Sequence, residues 1–547
     1  MFKGVSLEKI ARILVVDDEK VMRKALGITL KNNGYEIDYG SNGYEAIEKV
    51  TNEKFDLVLL DVTMPGLDGF ETCKRLIEID SELPVIQVTS SKDTESLREG
   101  FEAGALDYIR KPWQKMELLA RVKNILRIKA AEREKQVYFQ ALQDDMITAS
   151  LIMKMILPEW IFLDDNILFV SDYVPSNHVG GDVFNSVKIS ETEYFVYLGD
   201  ISGHGVQAAL FMSAVRTTIN LLVEDHKEDF DLAIFMTKLN TMLSTELFKS
   251  TDSYFTLILG IVNIEDKTYK YINAGHPPLI ELNTITHKIT THDERGTIPV
   301  GWKSKYKFLE EDIDTIYLND DNIVLLYTDG LNESADADGN EFGLDGLKNI
   351  LENKLRDVNA ITLPFKIKQS LIDNNYKMSG DDFTLFVMQL QNNKTPTTPA
   401  TDSPKSKRML FWVKSILKDV SLISQECEKL VLAWTNNKTL SAKTEIMIDE
   451  LLNNVIEHGY KYEEDARIVI EFSLDEKNLY LSMWDKGIEW LPETVKYNQD
   501  NPYLFEKDLY DTSGRGLYMV LSWSKEFYRN RYSNELNETK VVIDLFK

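Results

Sequence analysis

The chain has 547 residues, 43% hydrophobic and 27% charged, the make-up of a globular protein with room for three or four separately cored domains. Its 62 Lys plus Arg stand against 88 Asp plus Glu, a net charge of −26 that repels nucleic acid phosphates and anionic lipid. Cys73 and Cys427, far apart, exclude a disulfide framework and fit a reducing compartment. The N-terminus has no apolar signal core and no run reads as long enough to span a bilayer, so a cytoplasmic protein is expected.

From residue 10 to 127, the apolar runs "RILVVDD", "EIDYG", "FDLVLLDV", "PVIQVTSS" and "DYIRKP" alternate with amphipathic stretches. That alternation predicts a doubly wound parallel sheet of flavodoxin-like type. Asp17 and Asp18 end the first strand and Asp61 the third, at the carboxyl edge where such sheets bind ligands. Three carboxylates there suit one Mg²⁺, with Asp61 left to accept a phosphoryl group. Thr89 and Lys111, ending the fourth and fifth strands, can meet the added oxygens. With "LLDVTMPGLDG", "VTSS" and "IRKP", the block resembles the receiver domain of two-component response regulators. The resemblance implies phosphorylation of Asp61 by a sensor histidine kinase, Thr89 and Tyr108 as switch residues beside Lys111, and a cis Lys111–Pro112 bond.

A helix is predicted over 116–157, with a helical linker assigned to 128–158. Leu142, Met146, Ala149, Met153 and Ile156 recur in a four-three rhythm. This is either a coiled-coil seam that makes a homodimer or one face of a helix packed on its own domain.

Between 159 and 391, strand-like and helical segments mix as in an α/β sandwich. Asp182, Asp200, Asp329 and Asp381 stand in "GGDVFN", "GDISGHG", "YTDGLNES" and "SGDDFT", beside glycine or a second acid. Hard divalent cations take carboxylate oxygens, and small neighbours admit backbone carbonyls and waters. Two ions side by side can activate a water and clamp a phosphoryl group. These strings and "NAGHPP" resemble the SpoIIE/RsbU branch of the metal-dependent (PPM) protein phosphatases. The resemblance implies a phosphoserine or phosphothreonine phosphatase holding two Mn²⁺ or Mg²⁺ through Asp182, Asp200, the Ile201 carbonyl, Asp329 and Asp381. His276 and His204 are read as structural residues or as supports behind the ligands rather than as ligands, and Asp382 as a support behind the ligands. Asn185 stands where the family often has aspartate.

Residues 392–408, rich in Pro, Thr, Ser and Lys, read as a flexible linker. From 409 to 547, helices precede the strands "RIVIEFSL", "NLYLSMWD" and "TKVVIDLF", predicting a helix layer on a mixed sheet. Glu450 and Asn454 share a helical face, "WDKG" follows a strand, and "SGRGL" offers backbone amides at a helix start. Together they resemble the GHKL ATPase fold in its anti-sigma-factor serine kinase (RsbW/SpoIIAB-like) branch. The resemblance implies ATP with Mg²⁺, Glu450 as general base, Asn454 as Mg²⁺ ligand, and Asp485, Gly487, Gly514, Arg515 and Gly516 at the nucleotide. Glu489 replaces the usual second glycine of the "DxGxG" box. The expectation is a partner-switching regulator. Its phosphatase and kinase would act on one STAS-type anti-sigma-factor antagonist, or its last domain would bind that antagonist without catalysis.

Overall fold

The computed structural model describes residues 10–90, 94–203, 205–225, 230–249, 253–292, 296–355, 359–378, 380–391, 407–490 and 515–546. It divides into two compact units, 1–145 and 146–547.

In the first unit five parallel strands run in the order Glu36–Gly40, Arg12–Val16, Leu57–Asp61, Val85–Thr89, Asp107–Arg110. The expected doubly wound sheet is present. Ile13, Val15, Leu57 and Leu59 face one helix layer, whereas Leu14, Val16, Val58 and Leu60 face the other. This two-sided burial explains why the strands read as unbroken apolar runs. The helix Lys115–Ile156 anchors its start here through Leu118, Val122 and Ile125.

In the second unit two antiparallel sheets stack. One runs Asp314–Tyr317, Thr268–Ala274, Phe255–Asn263, Glu193–Ile201, Val183–Lys188. The other runs Ile289–His292, Leu279–Asn283, Asn322–Tyr327, Phe383–Leu390, Ile167–Val174, Ile161–Asp164. Phe169, Phe184, Leu198, Ile258, Leu326 and Phe386 fill the space between them. Outside the first sheet lie the helices Val206–Asp225 and Leu232–Met242; outside the second lies Leu363–Asp373. The result is the expected sandwich. Of the proposed seam, Met153 packs on this core, while Leu142 stays exposed.

One expectation is corrected here. Val206–Asp225 is long and apolar enough to cross a membrane by length and composition, with mean hydropathy 1.4. In this fold its Met212, Val215, Ile219 and Leu222 are buried in the core.

The final sheet, in the same unit, is ordered Lys407–Lys414, Arg467–Leu474, Asn478–Asp485, Leu536–Asp544, Glu526–Tyr532. Every pairing in it is antiparallel, not mixed as expected: hairpins join two of its four neighbouring pairs, and helix-containing connections bring the chain back antiparallel in the other two. The helices Val420–Thr435, Lys438–Asn454 and Arg515–Trp523 cover one face. The first strand starts two residues inside the expected linker.

Candidate functional site

The phosphatase-like centre is built from strand register. Val183 pairs with Gly199, so Asp182 falls opposite Asp200, and Thr256 pairs with Asp200 on the next strand. All three project from one face of the first sheet, toward the second. There Thr328 and Thr384 each donate a hydroxyl hydrogen bond to Asp182 Oδ2, the former at 3.0 Å. Asp329 follows Thr328, and Asp381 precedes the strand that carries Thr384. Four separate segments thus converge.

Asp182 is fully buried, and its Oδ1 has no hydrogen-bond partner among the described residues; nor has Asp329 Oδ1. Burial, then Asp200 and Asp382, raise the Asp182 carboxyl well above its ordinary value. Burial, then Asp329 and Asp381, push Asp200 to about 8. Asp329 is raised by burial and by Asp381. Carboxylates of one sign gathered here, with an all-oxygen donor set and unpaired oxygens on Asp182 and Asp329, fit hard divalent cations, although among the described residues no three of them come within 4.8 Å of one another as the receiver's do.

Asp382 takes a different part. It accepts from the Ser176 amide at 2.7 Å and from the Gly181 amide, tying the loop before Asp182 to the far strand. At Gly181 a Cβ would lie 3.1 Å from the Ile201 carbonyl and 3.0 Å from Ala208, so glycine lets this loop close on that carbonyl. Asn185 pairs with Tyr197 and turns with Val183 toward the helix layer, away from the aspartates. His204 lies outside the described residues.

In the first unit, ligand oxygens of Asp17, Asp18 and Asp61 all come within 4.8 Å of one another. Lys111 Nζ stands 2.8 Å from Asp17 and 2.9 Å from Asp61. Burial alone would lower the Lys111 ammonium, yet these two carboxylates raise it; burial also raises Asp61 despite the lysine. Thr89 is buried one strand away, Tyr108 carries Arg110 and Arg121 over its ring, and the Lys111–Pro112 bond is cis.

In the C-terminal domain Glu450 and Asn454 stand one turn apart on the helix Lys438–Asn454, and a Cβ on Gly516 would lie 1.7 Å from Glu450 Oε2. Glu450 thus packs directly against the glycine backbone. Asn454 donates to the Glu450 carbonyl at 2.7 Å. Asp485 is buried and accepts from the Gly487 amide at 3.0 Å, Asn537 at 2.7 Å and Arg529 at 3.1 Å. Gly487 is pressed on Gly459, where a Cβ would come within 2.8 Å. Gly514 and the Arg515 side chain lie outside the described residues. Sequence reasoning missed Thr328, Thr384, Arg529 and Asn537.

Three family models match consecutive stretches. Response regulator receiver domain covers 13–123, Stage II sporulation protein E (SpoIIE) 190–391, and Histidine kinase-like ATPase domain 394–543. The chain carries these three domains in that order. Its receiver is similar to the response regulator MprA of Mycobacterium sp. (strain KMS), 41% identical over 116 residues, 21% of this chain and 50% of that protein. The chain spans about half the length of the curated relatives it matches. Among solved structures it is similar to the RsbU and RsbW domains of Rv1364c from Mycobacterium tuberculosis (18% identity, TM-score 0.35, 69% of this chain and 92% of that one). It is also similar to the SiaA-PP2C domain of Pseudomonas aeruginosa (19%, TM-score 0.39, 46% and 99%). The SpoIIE-type phosphatase domain is the one that contains Asp200, Asp329 and Asp381.

Proposed function

We propose that this protein is a cytoplasmic response regulator whose central domain is a metal-dependent phosphoserine or phosphothreonine protein phosphatase, gated by phosphorylation of Asp61. One observation carries the reading: buried Asp182, with one oxygen uncommitted, stands among Asp200, Asp329 and Asp381, and burial followed by neighbouring negative charge raises the carboxyls of Asp182, Asp200 and Asp329. Such a cluster is costly unless cations neutralise it. Asp182, Asp200 with the Ile201 carbonyl, Asp329 and Asp381 are assigned as ligands of two Mn²⁺ or Mg²⁺. When bound, those ions would acidify a water and neutralise phosphoryl oxygens.

The chain's own side chains prepare the place. Thr328 and Thr384 fix the Asp182 rotamer and leave its other oxygen facing the site. Asp382 clamps the 176–181 backbone so that Asp182 enters at a set height. In the receiver, Asp17, Asp18 and Asp61 would hold Mg²⁺, and Lys111 would follow the phosphoryl oxygens, with Thr89 and Tyr108 responding. The domain limits are set at 10–127, 128–158, 159–391, 392–408 and 409–547. The partners are a sensor histidine kinase, a STAS-type anti-sigma-factor antagonist and, through the linker helix, a second copy.

For the last domain there are two readings. In the first, ATP with Mg²⁺ binds at Asn454, Asp485, Gly487, Gly514, Arg515 and Gly516, and Glu450 serves as base for rephosphorylating the same antagonist. In the second, the domain binds its partner without catalysis. The second is favoured by Glu489, which stands in place of the usual second glycine of the "DxGxG" box; Asp485 itself, with three donors, keeps about one of the roughly four acceptor sites of a carboxylate.

The test is phosphate release from a seryl-phosphorylated STAS-type protein by the purified chain with Mn²⁺. Asp329→Asn is expected to lower it at least 100-fold, and Asp61→Ala to remove its response to a phosphodonor. Labelled ATP distinguishes the readings of the last domain: transfer to the antagonist supports the kinase, and tight binding without transfer supports the binding module.

A further inference from the structure

The strand that carries Asp200 and Ile201 ends beside an exposed aromatic pair. The Ser202 amide donates to the Tyr254 carbonyl at 3.0 Å, and the Tyr254 amide donates to Ser202 Oγ at 3.0 Å. The pairing of Ile201 with Phe255 thus extends one step, and Tyr254 stands opposite the residue that follows the assigned ligands. Its ring, 41% exposed, stacks on that of Trp302, 64% exposed, with centroids 5.8 Å apart and planes at 25°. Of the eight tryptophans, all among the described residues, only Trp302 lies exposed.

The segment that carries Trp302 is basic. Lys303, Lys305 and Lys307 follow it, all exposed, and none of the three forms an ion pair with another described residue. In a chain of net charge −26 such a concentration is out of character. A loop that served only solubility would need no fixed shape, yet this one is held at several points. The buried side chain of Asn240, on the helix Leu232–Met242, accepts from the Gly301 amide at 2.9 Å. It also donates to the carbonyls of Lys303 at 3.0 Å and Tyr306 at 3.2 Å. One turn earlier, Thr237 Oγ1 accepts from the Phe308 amide at 2.9 Å. Val300 and Phe255 exchange both backbone hydrogen bonds at 2.9 Å, which ties the loop to the strand next to Asp200. Gly301 makes the turn at φ +91°, and Phe248 would meet a Cβ there at 2.7 Å.

Trp302 and its lysines are therefore presented from an ordered backbone, which lowers the ordering cost of binding. Tryptophan and tyrosine are the side chains that most often anchor protein interfaces. Ammonium groups around them select carboxylates and phosphates. The overall field of the chain repels such ligands, so a local basic loop supplies the attraction where they must approach.

We infer that Tyr254, Trp302, Lys303, Lys305 and Lys307 form a docking surface for the protein substrate, taking an acidic segment that flanks the phosphorylated seryl or threonyl residue. This rests on the phosphatase reading of the centre.

The experiment compares three substrates of the full chain with Mn²⁺: p-nitrophenyl phosphate, a phosphoserine peptide flanked by aspartates and glutamates, and the same peptide with glutamine in their place. The wild type is expected to show a KM at least about fivefold lower for the acidic peptide than for the neutral one. Trp302→Ala should raise KM for the acidic peptide about five- to 30-fold, the loss of an interface anchor. Its kcat, and hydrolysis of p-nitrophenyl phosphate, should stay within about twofold. Lys303→Glu with Lys305→Glu should abolish or reverse the preference between the peptides. Equal wild-type KM for the two peptides, unchanged peptide KM in both variants, or equal losses on all three substrates overturns the assignment. Anisotropy of the fluorescein-labelled acidic peptide separates this from the reading beneath it. If the wild type binds the peptide, Trp302→Ala does not, and no phosphate is released, the phosphatase reading fails while the docking surface stands. Phosphate release with identical peptide binding in wild type and both variants overturns the docking surface alone.

Discussion

Lys368 Nζ lies 2.6 Å from Asp172 Oδ2, with both side chains buried where the outer helix of the second sandwich sheet meets the C-terminal domain. The same ammonium is 2.8 Å from Glu535, in the turn between the last two strands. Nearby, Trp484 and Leu536 of the C-terminal sheet join the same apolar cluster as Phe365 and Leu385, and Arg467 donates to the Ile161 carbonyl at 2.7 Å. The phosphatase and ATPase-like domains therefore share a core.

Lys368→Met is expected to destabilise this unit by about 3–5 kcal/mol. It leaves buried Asp172 with only Lys486, at 3.9 Å, among the described residues. Adding Asp172→Asn removes the stranded charge, so the double variant should be less destabilised than the sum of the singles. Urea unfolding followed by tryptophan fluorescence measures both.

Much of this was legible in the sequence. Strand ends were visible as apolar runs stopping at Asp17, Asp61 and Lys111, because a doubly wound sheet gathers such ends at one edge. The aspartates of the centre were marked by their glycine neighbours. Thr328 and Thr384 sit within the same strings as Asp329 and Asp381, and only the stacking of two sheets reveals that they reach Asp182. Arg529 and Asn537 gave no signal at all: they meet Asp485 across 44 and 52 residues, through a strand order that local pattern does not encode. The same ignorance of strand order produced the expectation of a mixed sheet. The expectation that no run is long enough to span a bilayer overlooked Val206–Asp225, one face of which the tertiary fold buries in the core.

Asp382→Asn should loosen the 176–181 loop without emptying the centre of ligands. The carboxylate accepts from two backbone amides, and the amide replacement weakens both bonds. Hydrogen exchange at Ser176 and Gly181 should quicken at least tenfold, equivalent to about 1.4 kcal/mol or more, with the receiver unaffected.

Gly516→Ala should injure the C-terminal site selectively. The added methyl would sit 1.7 Å from Glu450 Oε2, so either the helix start or Glu450 must move. Affinity for a fluorescent ATP analogue should fall tenfold or more while Mn²⁺-dependent hydrolysis of p-nitrophenyl phosphate is retained.

Burial pushes the thiols of Cys73 and Cys427 up to about 12. A raised thiol value means the protonated, unreactive form dominates at every pH below it. Iodoacetamide at pH 8 should therefore leave both unlabelled in the native chain and label both in urea, as read by mass spectrometry. Labelling of native Cys427 would contradict its placement on the buried face of the helix Val420–Thr435.

The central claim concerns Asp182, Asp200, Asp329 and Asp381 as the seat of a cation pair. Mn²⁺ titration of the metal-free chain, compared with Asp182→Asn and Asp329→Asn, tests it most directly. The account predicts that each variant loses Mn²⁺ binding present in the wild type, together with a phosphatase activity that EDTA abolishes and Mn²⁺ restores. Identical Mn²⁺ binding in all three proteins, or hydrolysis that survives EDTA, would contradict it.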